Sequence, residues 1–175
     1  MKKIIMLSIF ALLSLNAFSY GTDDPRSYGP KKSSNEKADI VDTAMATGYF
    51  KILAIALTKA GLIETLKGKG PFTLFAPSDE AFAKLPNETL DKLLEPENKS
   101  QLTQVLTYHV VPSKLMKENV KAGEIMTVQG TTFSVTTKGG TKLNGSANVI
   151  ASDIKASNGV IHVIDSVIMP ADLDL

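Results

Sequence analysis

The hydrophobic pattern of the chain changes its period once, near Glu124, and this change limits the folds that are available to it. Before that point apolar residues recur at helical spacing, with one short strand predicted at residues 72–75. After it, β-rich runs alternate with Gly or Asn-Gly, and Asn158-Gly159 predicts a hairpin of the last two strands. Helices followed by strands favour an α+β domain. The five later runs lie at residues 125–128, 132–136, 141–143, 149–155 and 160–168.

Five helices are predicted in the first half of the chain. The first is a short amphipathic helix that begins near Ile40. The second, at residues 49–60, is apolar on nearly every face and is therefore expected inside the domain, ending at Gly61. A side-chain cap is predicted for each of the remaining three, the last as a capping box with Gln101. These caps are Ser78, Asn87 and Asn98.

The first segment of the chain predicts export. Lys2 and Lys3 precede an apolar run at residues 4–15, and small residues follow it at a cleavage site that ends at Ser19. The run is shorter than the roughly 20 residues that span a bilayer, so we interpret residues 1–19 as a cleaved signal peptide rather than a stable membrane anchor. The expected location is secreted or periplasmic. Three segments result: the signal peptide at 1–19, a flexible linker at 20–37 and one folded domain at 38–171.

Composition removes several classes of function. The 175 residues include 19 Lys plus Arg and 18 Asp plus Glu, and this balance argues against a nucleic-acid partner. The absence of Cys excludes disulfides, thiolate nucleophiles and cysteine metal sites. No Gly-x-Ser-x-Gly motif occurs, and Gly68-Lys69 lacks the flanking residues of a phosphate-binding loop. The only two histidines are far apart, with no acid patterned around either. We therefore expect a protein that is not an enzyme and holds no cofactor or metal.

Three blocks of residues carry a specific resemblance. Residues 72–82 read FTLFAPSDEAF, and residues 108–112 read YHVVP. Residues 158–165 read NGVIHVID, and the chain continues to VIMP at residues 167–170. In order and spacing these blocks resemble the first homology box, the Tyr-His motif and the second homology box of the fasciclin (FAS1) family. The resemblance covers about residues 38–171.

This resemblance implies a wedge-shaped β-sandwich of about seven strands with several helices packed along one side. It also implies a secreted or surface-attached module that contacts cells, matrix or other partners, generally without catalysis. An Asp-Ile pair before the second box is implicated in integrin contact in animal members, and Asp153 and Ile154 match it. The residues on either side depart from the animal pattern, so integrin binding is not expected here. The Tyr-His motif, also implicated in adhesion, matches at Tyr108 and His109.

The motif residues can also be interpreted from their local pattern. His109 continues an apolar helical stripe at i, i+3, i+4 and i+7, which directs its imidazole inward. Because a buried ring must satisfy its nitrogens, we predict a structural hydrogen bond, with Asp79 as the candidate partner. His162 lies within an apolar strand and is expected in the core. Tyr108 is the better surface candidate, since an aromatic ring with a hydroxyl suits a contact edge. The stripe consists of Leu102, Val105 and Leu106.

Two functions from different classes remain open. The first is an extracytoplasmic interaction or cell-adhesion module that binds a protein or glycan surface partner, with a monomer as the expected state. The second is a carrier of a small apolar ligand, because some fasciclin-like proteins bind apolar pigments and this chain is rich in Ile, Leu and Val. A hydrolase is a third class, which turnover of ester or glycoside substrates would detect.

Overall fold

A computed structural model describes residues 38–173, so the predicted signal peptide and linker lie outside the described residues. This part of the chain forms six α-helices and seven strands. The helices are α1 (Ile40–Thr47), α2 (Lys51–Ala60), α3 (Ile63–Lys67), α4 (Asp79–Ala83), α5 (Asn87–Leu94) and α6 (Lys99–Tyr108). The strands are β1 (Phe72–Pro77), β2 (Val110–Val111), β3 (Gly123–Met126), β4 (Thr132–Thr136), β5 (Lys142–Leu143), β6 (Ala147–Ala156) and β7 (Gly159–Ile164).

The strands form one sheet in the order β2-β1-β7-β6-β5-β4-β3. β1 and β7 are parallel neighbours, with Phe75 opposite His162, whereas the other neighbouring strands are antiparallel. β6 pairs with β5 near its start and with β7 along its length, and its register shifts on both sides of Ala151. Beyond β3, the Val128 amide donates to the Val110 carbonyl at 2.7 Å. This bond brings the two ends of the strand order together.

Two apolar cores lie on opposite faces of β1 and β7, because successive residues of a strand point to opposite faces. Leu74 and Ile161 pack with the helices on one face. Phe75 and Ile164 pack on the other face with β4 and β5, where the ring centroids of Phe75 and Phe133 are 5.3 Å apart. The seven-stranded α+β architecture with helices along one side is confirmed.

Several predicted helix ends are present. Gly61 ends α2 with φ at 75°, and its amide donates to carbonyls of the last turn. Ser78 Oγ accepts from the Ala81 amide at 3.2 Å and so caps α4, whose first turn carries Asp79 and Glu80. α1 has a cap that was not predicted: the Asp39 carboxylate accepts from the Asp42 amide in the first turn at 2.9 Å. These caps satisfy amides that a helix start leaves without partners.

Two predicted caps are wrong. Pro86 occupies the N-cap position of α5, so Asn87 becomes the first helical residue. Asn98 precedes α6 with φ −97° and ψ 18°, which is not the extended conformation that a capping side chain needs. Its side-chain amide instead donates to the Lys92 carbonyl at 2.9 Å. A 3-10 turn at Pro96–Asn98 imposes this geometry on the approach to α6.

The predicted hairpin between β6 and β7 is present with a different turn. Ala156 pairs with Gly159, so Ser157 and Asn158 are the two connecting residues. β7 ends at Ile164, four residues before the predicted end, and the following segment leaves the sheet to pack against α6.

Asn158 ties three elements to this turn. Its side-chain oxygen accepts from the Ile40 amide at 2.9 Å, at the start of α1. Its side-chain nitrogen donates to the carbonyls of Leu66 at 2.6 Å and Gly68 at 3.0 Å, at the end of α3. Its own carbonyl accepts from the Phe72 amide at the start of β1. Asn158 therefore fixes where the helical layer meets the sheet.

Candidate functional site

His109 is buried at the end of α6, as the apolar stripe predicts. Its Nδ1 donates a hydrogen bond to the Val105 carbonyl oxygen at 2.7 Å, and its Nε2 accepts one from the Ile168 amide at 3.2 Å. The ring is therefore neutral, with its proton on Nδ1. Burial lowers the pKa of His109 to about 4, and the hydrogen bond to Val105 opposes this shift only in part. The Nδ1 bond holds the ring against α6 itself, and the Nε2 bond joins α6 to the segment after β7.

The prediction that Asp79 is the hydrogen-bond partner of His109 is wrong. The Asp79 carboxylate accepts from the Ile52 amide at 2.9 Å, in the first turn of α2. The Asp79 amide in turn donates to the Tyr49 carbonyl. A carboxylate near a helix start is favoured by the unpaired amides there, so Asp79 joins α4 to α2 and does not approach the imidazole.

His162 is buried in β7 and lies beside Phe75 of β1, with ring centroids 5.3 Å apart and planes 25° apart. Its Nε2 lies 2.7 Å from the Leu115 carbonyl oxygen, so this nitrogen carries the proton. The Asp153 amide approaches Nδ1 at 3.4 Å. Burial lowers the pKa of His162, while the Leu115 carbonyl and the Asp153 carboxylate oppose the shift. His162 therefore lies in the core, as predicted.

Tyr108 is not a surface residue, and its predicted role as a contact edge is wrong. The residue is only 3% exposed and packs in the core beside Phe133. Its hydroxyl donates to the Thr132 carbonyl at 3.0 Å and accepts from the Asn144 side chain at 3.0 Å. The residue lies in the last turn of α6, where the helix faces β4, so the hydroxyl is needed to satisfy backbone there.

Asp153 and Ile154 lie where β6 departs from regular pairing. Asp153 has φ at 62°, and one of its carboxylate oxygens accepts from the Lys117 amide at 2.8 Å. Ile154 pairs with Ile161 and packs against the core on the helix side, with intermediate exposure. Asp153 therefore lies half-buried at an irregular part of β6, whereas Ile154 packs partly into the interior.

The structure brings His162 and Asp153 together, whereas His109 lies elsewhere, between α6 and the segment after β7. Sequence reasoning missed Thr73, whose hydroxyl donates to the Ser113 carbonyl at 2.6 Å and accepts from the Leu115 amide at 2.8 Å. A threonine inside an apolar strand was the available signal. The loop at residues 113–115, which Thr73 fixes, also supplies the Leu115 carbonyl that accepts from His162 Nε2.

A cavity of about 360 Å³ is lined in part by Phe75 and His162, which are themselves almost completely buried. Its walls come from the 3-10 turn at Lys117–Asn119, the β4–β5 connection and the irregular part of β6. A second, more open cavity of about 450 Å³ lies around Asn158 and is lined by Lys67, Lys69 and Lys114.

Within residues 38–173, no three His, Cys, Asp or Glu side chains are grouped so that they could hold a metal ion. Within the same range, every helix is too short or too polar to cross a bilayer.

Comparison with known proteins assigns the family. The model of the family described as "Fasciclin domain" matches residues 48–170. The chain belongs to the fasciclin domain family. The resemblance carried by the two boxes and the Tyr-His motif is thereby confirmed.

Relatives of this fasciclin domain occur in bacteria and animals. Protein sll1483 of Synechocystis is 39% identical over 172 residues, which cover 93% of this chain and 96% of that protein. The immunogenic protein MPB70 of Mycobacterium bovis is 40% identical over 64% of this chain and 56% of its own length. The pig transforming growth factor-beta-induced protein ig-h3 is 40% identical over 69% of this chain but only 18% of its own length.

A solved structure shows the same fold. The FAS1 domain pair of the insect cell adhesion molecule fasciclin I superposes with a TM-score of 0.67 at 16% identity. The match covers 76% of this fasciclin domain and 51% of the insect chain.

Proposed function

We propose that this fasciclin domain is a non-enzymatic interaction module that works outside the cytoplasm and binds a protein, glycan or matrix partner, as in cell adhesion. The observation that carries the proposal is the use of both imidazoles as internal ties. Each is buried and hydrogen-bonded to backbone groups, which leaves neither ring placed to activate a hydroxyl. Because both imidazoles stabilise the fold, we assign the function to residues at the surface.

The proposed location is secreted or periplasmic, with residues 1–19 removed as a signal peptide. The basic start and short apolar run of the chain support this location. An exported chain without Cys must rely on packing, and its two apolar cores supply that packing. We propose that the protein acts as a monomer.

Within the motifs, Asp153 is the residue that we propose for partner contact. Its side chain is half-buried, and the Lys117 amide uses one carboxylate oxygen, so the negative charge remains near the surface. Ile154 contributes through the same segment, although much of its side chain packs inward. Tyr108 is not proposed for partner contact, because it is buried.

A carrier of a small, pigment-like apolar ligand is the weaker candidate. The two cavities described above are lined by lysines, hydroxyl groups and glycines as well as apolar side chains. A site for an apolar ligand would require a predominantly apolar lining. Colour and an extracted mass spectrum of protein purified from its source test this alternative, and a stoichiometric apolar compound would support it.

The proposal is tested by saturable binding of the purified protein to surface material from its own source. Asp153→Asn keeps an oxygen for the Lys117 amide but removes the charge, so we expect folding to persist and binding to fall severalfold. Asp91→Asn, at an exposed position of α5, is the matched control and should leave binding unchanged.

Two results would contradict the proposal. Heat-unfolded protein that binds as well as folded protein would show that the contact does not need the domain. Turnover of ester or glycoside substrates that is lost in His162→Gln would assign a hydrolase instead.

A further inference from the structure

The cavity around Asn158 is a groove whose charged lining residues are all lysines, and we call it the lysine groove. Lys67, Lys69 and Lys114 line its volume of about 450 Å³ beside the turn between β6 and β7. No Asp or Glu is among the described residues that line it. The rest of the lining consists of Gly, Pro, Ala, Ser and Asn, so a ligand would meet polar groups and backbone.

Two of the three lysines carry the positive charge of the groove. The Lys67 ammonium lies 3.1 Å from an Asp42 carboxylate oxygen and 3.9 Å from an Asp39 oxygen, so its charge is largely offset. Within the part of the chain that the structure describes, neither Lys69 nor Lys114 forms an ion pair. Both lie at exposed positions, where an anionic ligand can reach them.

The backbone on both sides of Lys114 is held by one side chain. The Thr73 hydroxyl donates to the Ser113 carbonyl at 2.6 Å and accepts from the Leu115 amide at 2.8 Å. Thr73 itself is buried in β1. The loop therefore presents Lys114 from a fixed backbone, although the strand before it, β2, has only two residues.

The backbone beside Lys69 is fixed by the turn at Asn158. The Gly68 carbonyl accepts from the Asn158 side chain at 3.0 Å. Gly70 packs so closely on this turn that a Cβ atom there would overlap the Asn158 carbonyl oxygen. Because the backbone at both lysines is set before a ligand arrives, binding has to order only their side chains.

The lining of the groove favours an acidic carbohydrate over other polyanions. Single-stranded nucleic acid stacks its bases on aromatic side chains, and none is among the described lining residues. A charge-driven membrane contact takes a cluster of about four to eight Lys or Arg, more than line this groove. Lysine ammonium groups pair with carboxylates or sulfates, while the Ser157 hydroxyl and the turn backbone can pair with sugar hydroxyls.

We propose that the lysine groove binds an acidic polysaccharide, a chain of sugars that carry carboxylate or sulfate groups. Lys69 and Lys114 come from separate segments and engage two anionic groups of one chain. The inference deepens the proposed function by naming the glycan class, and it rests on that function for the location outside the cytoplasm. Its surface differs from the contact at Asp153, whose carboxylate accepts from the Lys117 amide and does not line the groove.

The first test is a titration of the isotope-labelled mature protein with oligogalacturonate, which carries carboxylates, followed by amide chemical shifts. A salt concentration of about 50 mM keeps the screening of surface charges weak. We expect saturable shifts at the amides of Lys69, Gly70, Lys114 and Ser157. Sulfated dextran oligomers test sulfate in place of carboxylate and should shift the same amides. A neutral malto-oligosaccharide should shift none of them.

Lysine variants test which charges the ligand meets. Lys69→Gln and Lys114→Gln should each weaken oligogalacturonate binding by about threefold, the size of an exposed ion pair. The double variant should weaken it by about tenfold if the two contacts are independent. Lys92→Gln, at an exposed position of α5 outside the groove, is the matched control and should change binding little.

An acidic variant should act in the opposite direction. Asp42→Asn removes the closer ion-pair partner of Lys67, so we expect oligogalacturonate binding to strengthen by about twofold. Asp91→Asn removes the same charge from an exposed position of α5 and should leave binding unchanged. Equal gains in the two variants would show that only net charge matters and would contradict a local site. Thermal melting of each variant checks that the fold persists.

The inference is overturned if neither acidic oligosaccharide gives saturable shifts at these amides at about 10 mM, a weak-binding limit. Equal losses in Lys92→Gln and Lys69→Gln would also overturn it. Anionic phospholipid vesicles that bind more tightly than both oligosaccharides, with the same dependence on Lys69 and Lys114, would assign the groove to a membrane surface instead.

The outcome can be separated from that of the proposed function. Asp153→Asn should weaken binding of surface material but should not weaken binding of the acidic oligosaccharides. Absent oligosaccharide binding together with a retained effect of Asp153→Asn on surface material contradicts only the inference about the lysine groove.

Discussion

His109 and His162 are each held as neutral rings between a backbone carbonyl that accepts a hydrogen bond and a backbone amide that donates one. Burial of both was predictable, because an apolar stripe and an apolar strand surround them in the sequence. Their hydrogen-bond partners were not predictable, because these partners are backbone groups, which every residue carries whatever its side chain. Asp79 looked suitable by type, but the amides at the start of α2 hold it.

Replacing His109 should destabilise the fold. His109→Ala leaves the Ile168 amide and the Val105 carbonyl without their buried partner and opens a cavity, so we expect a loss of about 3 kcal/mol in the free energy of unfolding. Urea unfolding at pH 7 measures this loss. A variant as stable as the natural protein would show that the ring is not a structural tie.

The Tyr108 hydroxyl should contribute stability together with Asn144. Tyr108→Phe removes both hydrogen bonds of the hydroxyl and should cost about 1–2 kcal/mol. Asn144→Gly preserves the left-handed backbone, whose φ is 49°, but removes the same side-chain contact. A double-mutant cycle should give a coupling energy of at least about 0.5 kcal/mol. Additive losses would contradict a direct interaction.

At the scale of elements, the order of helices and strands was predictable from periodicity, but the ends of elements were less so. The caps at Ser78 and Gly61 follow from local chemistry alone. The predicted caps at Asn87 and Asn98 fail because each lies next to a proline-containing segment, at Pro86 and at Pro96–Asn98. Proline restricts the backbone there, so neither asparagine takes the N-cap conformation. The bulge in β6 had no signal in the hydrophobic pattern, because it depends on pairing with two different strands.

The turn between β6 and β7 is expected to be sensitive to loss of the Asn158 side chain. Asn158→Ala removes three side-chain hydrogen bonds that join the turn to α1 and α3, so we expect a loss of about 2–4 kcal/mol. Asn119→Ala, at an exposed position, is the matched control and should change the unfolding midpoint little. Equal effects of the two substitutions would contradict the role of Asn158.

The neighbouring Gly159 should tolerate no side chain. A Cβ atom there would collide with the Phe72 carbonyl and would lie 2.6 Å from Ile40 Cδ1. We expect Gly159→Ala to lower stability by more than about 3 kcal/mol or to prevent folding. Gly48→Ala adds a Cβ in open space at φ 76° and should cost only about 1 kcal/mol. Thermal melting compares the two, and the reverse order would refute the close packing of this turn.

For the whole molecule, the two buried neutral rings predict a loss of stability in acid. The folded pKa of His109 is about 4, below the unfolded value of 6.5, so the unfolded chain binds more protons as the pH falls between these values. The loss from His109 should reach about 2 kcal/mol at pH 5, and His162 adds to it in the same direction.

Urea unfolding at pH 7 and pH 5 measures this dependence. His109→Gln cannot titrate, so its free energy of unfolding should change less between the two pH values than that of the natural protein. An equally steep change in the variant would assign the effect to other groups.

The bond between Val128 and Val110 has a consequence for molecules that are crowded together. Exposed strand edges can recruit the backbone of a neighbouring molecule and so begin aggregation. The strands that end this sheet have only two and four residues, and Val128 already occupies the Val110 carbonyl. These strands therefore leave few backbone N–H and C=O groups free to pair with another molecule. Such a domain can accumulate at high local density while its copies remain separate.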